Sequence, residues 1–325
     1  MNYAADLYDA SPAACPQVLL SCGTGLWLAR LESRVTPGVS PMDARREMQG
    51  AIEVVMMLLS VLQANAVVLD IDANLKTVDA AAQRAAAAGS GLLLTPELFP
   101  VGYAPLRLHA ELDPAVLPDI RGRLADIART RGIGLVYSLP APAADGGWHI
   151  SATLLDAHGT VRLDYDKVHL FGEEERKAFS AAQVAPRVVD FDGVKTSLLI
   201  CYDVEFPESV RAAATRGAEL LLVPTALSAG FDAVPQVLIR ARALESQLNV
   251  AYANHSGHED GCDFLGGSVV AGPDGSLLAA AGDGAALLFA EISTESVKAA
   301  REQVPYLKER RPQLYREWED SAPQG

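Results

Sequence analysis

The chain has 325 residues, half of them hydrophobic and 21% charged, with a formal net charge of −14. There is ample apolar material for a large core, and the acidic balance excludes the clustered Lys and Arg that a nucleic-acid or anionic-lipid surface needs. Four cysteines, Cys15, Cys22, Cys201 and Cys262, form no C-x-x-C pair, which excludes zinc-knuckle and thioredoxin-type motifs and reads as free thiols in a reducing cytoplasm.

Residues 1–55 mix Pro, Ser, Gly and charge without steady periodicity. They are expected to form a poorly ordered N-terminal extension ahead of a domain spanning 56–325. Asp6 and Asp9 sit where a signal peptide would be uncharged. The apolar stretch 16–31 is too short and too Gly-interrupted to span a bilayer. No export and no membrane anchor are expected.

Regular patterning begins at 56–66, MMLLSVLQANA, an apolar run suited to a buried strand. An Ala-rich helix is expected over 73–88, stopped by Gly89 and Gly91. GLLLTPELF (91–99) is a second buried strand. Residues 114–132 read as a helix with Pro near its start and Gly132 at its end, followed by a third strand, GIGLVYSLP. WHISATLLDA and TVRLDYDKVHL flank Ala-His-Gly as one hairpin; RVVDF and VKTSLLICYD flank Asp192-Gly193 as another. Further on come a helix over 206–217, a strand over 218–226 and a helix over 234–249. Four short strands then close the sheet region, with Pro-Asp-Gly as a turn. From Ser293 the chain is polar and helical, then Pro-rich. Strands alternating with helices in both halves imply an α/β protein, with no internal repeat of 20–50 residues.

Three polar residues each terminate a separate apolar strand: Glu97 in GLLLTPELFPVGY, Lys167 in LDYDKVHLF and Cys201 in SLLICYD, where a helix follows at about Phe206-Pro207. Taken singly, a buried thiol, a loop glutamate and a surface lysine explain them better than chemistry does. Together they place a thiol, a carboxylate and an ammonium at strand ends, where α/β sheets assemble their sites. Those three groups suffice for acyl transfer: a nucleophile, a base and an oxyanion cation.

The constellation resembles the nitrilase superfamily of carbon–nitrogen hydrolases. The resemblance rests on TPELFPVGY around Glu97, YDKVHLFGEEE around Lys167 and LLICYDVEFPE around Cys201. GAELLLVPTA, RALESQLNVAYAN, the GPDG turn and VPYLKERRPQLY extend it from about residue 57 to 315. It implies a four-layer αββα sandwich. It also implies that Cys201 is the nucleophile and Glu97 the general base and acid. Lys167 is the implied oxyanion cation, helped by the N–H of Tyr202. A second glutamate follows the lysine, Glu175 or its neighbour Glu174. The implied pocket lies beside Tyr103 and the loop from Pro224 to Phe231. Neither an organic cofactor nor a metal is called for. Nitrile-cleaving members tend to carry Cys-Trp-Glu; the Cys-Tyr-Asp run here resembles the amidase branches. The expected reaction is hydrolysis of a small carboxamide through a Cys thioester, with nitrile or N-carbamoyl substrates as the nearest alternatives. A homodimer or higher even oligomer is implied, with the tail from about Val304 in the partner contact.

Two departures stand out. The family's Pro-Gly after the lysine loop is replaced by Ser180-Ala181-Ala182 behind Phe179, which leaves that loop's shape open, and residues 1–55 have no counterpart. A polar cluster, NHSGHEDGCD (254–263), has ligand types suited to zinc but no structural-site spacing; it is expected to be a polar loop near the pocket mouth. His169, the partner a Cys–His site would use, is expected to pack beneath the site. Gly23-Thr24-Gly25 lacks the third glycine of a dinucleotide fingerprint.

Overall fold

In the computed structural model, which describes residues 55–321, two six-stranded mixed sheets are stacked face to face. The first contains β1 (Met56–Gln63), β2 (Leu92–Leu94), β3 (Gly134–Pro142), β4 (Trp148–Leu155), β5 (Val161–Asp166) and, from the far end of the chain, β14 (Ala286–Ser293), in the order β14-β1-β2-β3-β4-β5. The second contains β6 (Val188–Phe191), β7 (Val194–Leu198), β8 (Leu220–Pro224), β9 (Asn249–Ala253), β12 (Val269–Ala271) and β13 (Leu277–Ala280), in the order β13-β12-β9-β8-β7-β6. In each sheet three parallel central strands, β1-β2-β3 and β7-β8-β9, are flanked by antiparallel neighbours. The expected extension over 1–55 lies, save for Val55, outside the described residues.

The central strands are short and apolar because both of their faces are covered. Leu92, Leu93 and Leu94 are all fully buried, as are Leu220, Leu221 and Leu222. Helices α1 (Ile71–Ala87) and α3 (Leu117–Arg131) pack together over the outer face of the first sheet. Between them in sequence lies a short helix, α2 (Pro105–Glu111). Helices α5 (Pro207–Thr215) and α6 (Ile239–Ser246) pack together, and α6 covers the second sheet at β9 and β12. The result is the four-layer αββα sandwich, with one hydrophobic core running through the described residues.

Local signals set most boundaries. The Asp70 side chain accepts from the Ala73 N–H and caps α1, and α3 ends at Gly132 in the left-handed conformation, φ +63°. Asp192 and Gly193 both have positive φ, as a two-residue hairpin turn requires. Several elements differ from expectation. The two short helices, α2 and α4 (Gly172–Ala178), occupy stretches without an apolar stripe long enough to read. Residues 256–265 form a hairpin, β10 (Ser256–Glu259) with β11 (Cys262–Leu265), rather than a polar loop. The strand 286–293 leaves the second sheet and pairs with β1 along its whole length.

At one end of the sandwich the two sheets are tied together. The Glu97 N–H donates to the Thr225 carbonyl (3.2 Å) and the Ser256 N–H to the Ala64 carbonyl (3.0 Å). That is the end where β2, β5 and β7 finish and where Glu97, Lys167 and Cys201 lie.

Candidate active site

Cys201 follows β7 and opens a single 3-10 turn, Cys201–Glu205. Its backbone has φ +46°, a left-handed conformation that costs a residue with a side chain about 1–3 kcal/mol and that persists only where neighbours enforce it. The enforcing residue is Asp203, fully buried two positions on. Its Oδ2 accepts from the Tyr165 hydroxyl (2.9 Å) and the Ile200 N–H (3.4 Å), and its Oδ1 from the His169 N–H (2.8 Å). Asp203 thereby ties the thiol-bearing turn to the segment that carries Lys167. The turn's first N–H groups, Tyr202 among them, have no partner within so short a helix.

Lys167 lies one residue past β5, its N–H donating to Ile150 (2.8 Å) and its carbonyl accepting from Ala182 (2.9 Å). The Ser180-Ala181-Ala182 loop is therefore pinned back along the lysine. The ammonium is fully buried and donates to Glu97 Oε1 (2.7 Å) and Glu175 Oε1 (2.8 Å). With two of its three N–H donors so engaged, one remains.

Glu175 is also held by the Tyr103 hydroxyl (2.6 Å, to Oε1) and the Phe171 N–H (2.7 Å, to Oε2). Helix α4 decides between the two candidate glutamates: each residue turns about 100° around the axis, so Glu175 points inward while Glu173 and Glu174 are exposed. Glu174 is thus removed from the candidate site. Tyr103 is brought to the site, with its hydroxyl proton committed to Glu175 rather than free for a ligand. On this geometry Glu174→Gln should leave turnover within about twofold of wild type, whereas Glu175→Gln, which removes one of the two charges facing Lys167, should lower it at least tenfold; steady-state rates of the two variants side by side check this.

Two carboxylates share one ammonium here, and the ionisation follows from that. Burial, opposed by the Lys167 charge and reinforced by Glu175, pushes the Glu97 carboxyl up to about 7. Burial and then the Glu97 charge push the Cys201 thiol up as well, with Lys167 and the Ala226 N–H pulling the other way. Burial pulls Lys167 down, but the two carboxylates outweigh it and hold the ammonium charged well past its ordinary range. Glu97 Oε2 has no aligned hydrogen bond, although the thiol is near enough to weigh on the carboxyl's ionisation. A raised carboxyl beside a thiol, with an unpaired oxygen, is set to take the thiol's proton.

His169 does not provide a Cys–His alternative. Its Nδ1 bonds Asp203 (2.7 Å) and its ring stacks on Phe206 at 3.9 Å. The cluster 254–263 diverges rather than converging on a metal: His255 and Glu259 are buried against each other, while His258 pairs with Asp263 on the exposed side. Sequence reasoning missed His255, whose Nε2 bonds the Glu97 carbonyl (2.6 Å). The Asp260-Gly261 turn signal between two short alternating segments marks the hairpin that carries it.

The model of the carbon–nitrogen hydrolase family matches residues 58–302, and the chain belongs to that family. It is 41% identical over 248 residues to a hydrolase from Pseudomonas protegens (hydrolase in the pqqF 5′ region), covering 76% of this chain and 86% of that one. It is 33% identical to an (R)-stereoselective amidase from a Pseudomonas species, covering 70% of this chain and 82% of the other. Among solved structures it is similar to the amidase from Nesterenkonia sp. AN1 in complex with acrylamide, a double mutant, with a TM-score of 0.76, 45% identity and coverage of 81% of this chain and 97% of that one. A second structure of that amidase shows covalent addition of the acetamide moiety of fluoroacetamide at its active-site cysteine.

Proposed function

We propose that the protein is an amidase that hydrolyses a small carboxamide to the carboxylic acid and ammonia through a thioester on Cys201. The observation that carries this is the fully buried Glu97–Lys167–Glu175 cluster beside the thiol. Glu97 takes the proton of Cys201, and the thiolate attacks the amide carbon. The oxygen of the tetrahedral intermediate takes the remaining N–H of Lys167 and the free N–H of Tyr202. Glu97 passes its proton to the nitrogen, the C–N bond breaks and ammonia leaves. Glu97 then draws a proton from water as the water attacks the thioester, and returns it to the sulfur as acid departs. Glu175 holds the lysine ammonium in line throughout. The Cys-Tyr-Asp run and the amidase relatives favour amides over nitriles.

Phe171, Tyr202 and Phe231 meet edge to face, Phe171 with Tyr202 at 5.3 Å and with Phe231 at 5.9 Å. They join the segment following Lys167 to the one following Ala226. This aromatic rim beside a barely exposed thiol suits a small acyl group. Among the described residues no helix is long and apolar enough to cross a membrane; a cytoplasmic location is supported by Cys201 and Cys262, which are free thiols. A homodimer or higher even oligomer using the chain from Val304 onward is supported by exposed Val304, Tyr306 and Trp318.

The test is ammonia release by the wild type from primary amides, N-carbamoyl compounds and nitriles, across pH 5–9. Release from amides with nitriles left intact is expected. Because Glu97 must be a carboxylate to take the thiol proton and its pKa is raised to about 7, kcat/KM should fall about tenfold per pH unit well below 7. Acid from nitriles at comparable rates would replace the amidase reading with the nitrilase one.

A further inference from the structure

One fully buried charge pair takes no part in the cycle above. His255 and Glu259 have completely buried side chains, with Nδ1 of the imidazole 2.6 Å from Glu259 Oε1. The other ring nitrogen, Nε2, is 2.6 Å from the backbone carbonyl of Glu97. Both partners can only accept. Glu259 is an acceptor on both oxygens already, Oε1 from the Ala66 N–H (2.8 Å) and Oε2 from the Tyr103 N–H (3.2 Å). The ring must donate from both nitrogens, which makes it an imidazolium. Phe99 and Phe264 lie against the ring, with centroids 5.5 and 4.9 Å away.

We propose that the His255–Glu259 ion pair is a positioning device for the amidase site: it fixes the Glu97 backbone from behind and, through the Tyr103 backbone, the hydroxyl that holds Glu175. The proposal rests on the amidase reading for its purpose, not for its test. One buried pair thereby sets both carboxylates that face Lys167. Burial pulls the pKa of His255 down, but the charge and hydrogen bond of Glu259 together with the Glu97 carbonyl and carboxylate outweigh it and raise it. The charged groups facing the ring are Glu259 from β10 and Glu97 from the loop after β2, with Lys167 and Glu175 beyond Glu97. His258, Asp260 and Asp263 of the hairpin are engaged on its outer side, His258 with Asp263 and Asp260 with Arg107. The imidazolium also acts through its charge: a cation against the Glu97 backbone favours the carboxylate form of that residue. A merely structural histidine would not do so.

The test reads the Glu97–Cys201 proton pair without needing the natural substrate. Wild type and His255→Gln are alkylated with iodoacetamide across pH 5–9, and the adduct at Cys201 is followed by peptide mass. Gln keeps an N–H for the Glu97 carbonyl but carries no charge. In the wild type the rate should rise through pH about 7. In His255→Gln that limb should move to higher pH by about one unit, a roughly tenfold slower reaction at pH 6 and below. An unmoved limb in the folded variant overturns the proposal. Glu259→Gln, nearly isosteric, serves if the histidine variant does not fold. A buried imidazole without its anion gives up its proton, so the limb should rise there too, and an unchanged limb is equally fatal. Failure of the amidase reading would show separately, as a wild type that alkylates normally and releases ammonia from no amide.

Discussion

Cys201→Ala should release no ammonia above background from any amide the wild type hydrolyses, a loss on the order of 10⁴-fold or more, because nucleophile and base act as one unit. Alanine is no better suited than cysteine to φ +46°, so the turn keeps its strain, and Asp203, which enforces it, is untouched. The loss is therefore chemical, and the melting temperature should stay within a few degrees of wild type. Glu97→Gln removes the base and keeps the thiol. Turnover should drop by about 10²–10⁴-fold, the usual contribution of a positioned base. Cys201 should still alkylate slowly in that variant, whereas Cys201→Ala takes no label at position 201. Ammonia release together with peptide mass after iodoacetamide resolves the two. Residual turnover in Cys201→Ala would mean that another group attacks the amide, and the proposed cycle would have to be abandoned.

What the sequence showed of this site follows from how the chain is built. Glu97 and Cys201 could be read as strand-end residues because each ends an apolar run at a buried strand, and Lys167 because it directly follows the alternating strand β5; that local pattern set their place, and the family resemblance supplied their roles. The choice between Glu174 and Glu175 could not, because it needs the phase of α4. GEEERKA has three acidic residues in its first turn and no apolar stripe, so its helix forms by packing against α2 and by the Phe171 N–H bond rather than by propensity. His255 and Glu259 were hidden by their polarity: two ionisable side chains in a Gly- and Asp-rich stretch look solvated until Phe99 and Phe264 close over them. The return of 286–293 to β1, more than 220 residues back, has no local signal at all. The shared pattern of the two sheets, three parallel strands with antiparallel flanks, is likewise a property of pairing and not of any repeated sequence.

Lys167→Met should both abolish turnover and extend the loss of stability with rising pH beyond the range over which the wild type shows it. Methionine fills much of the lysine stem but leaves Glu97 and Glu175 buried without their cation. Breaking a buried pair by removing one partner costs about 3–5 kcal/mol when the survivor stays charged. The carboxyls can evade that by staying protonated. Glu97 is already pushed up by burial and by Glu175, with Lys167 as the main opposing charge, so without the lysine it rises further above the ordinary carboxyl value of 4.5. A carboxyl whose pKa is higher folded than unfolded binds more protons in the folded state between the two values. Its contribution is present in full below the unfolded value and is lost as pH climbs through the folded one. Wild-type Glu97 stops losing stability at about pH 7, whereas in Lys167→Met the loss continues above it. The deficit against wild type should therefore be nearly constant from about pH 5 to 7 and widen toward about pH 9, read as the difference in melting temperature at the two ends. Turnover should be down by at least about 10²–10³-fold at every pH, because the oxyanion loses its cation whatever the carboxyls do. A stability gap independent of pH would show that Lys167 does not favour the Glu97 carboxylate, and would take with it the assignment of that lysine as the charge that organises the site.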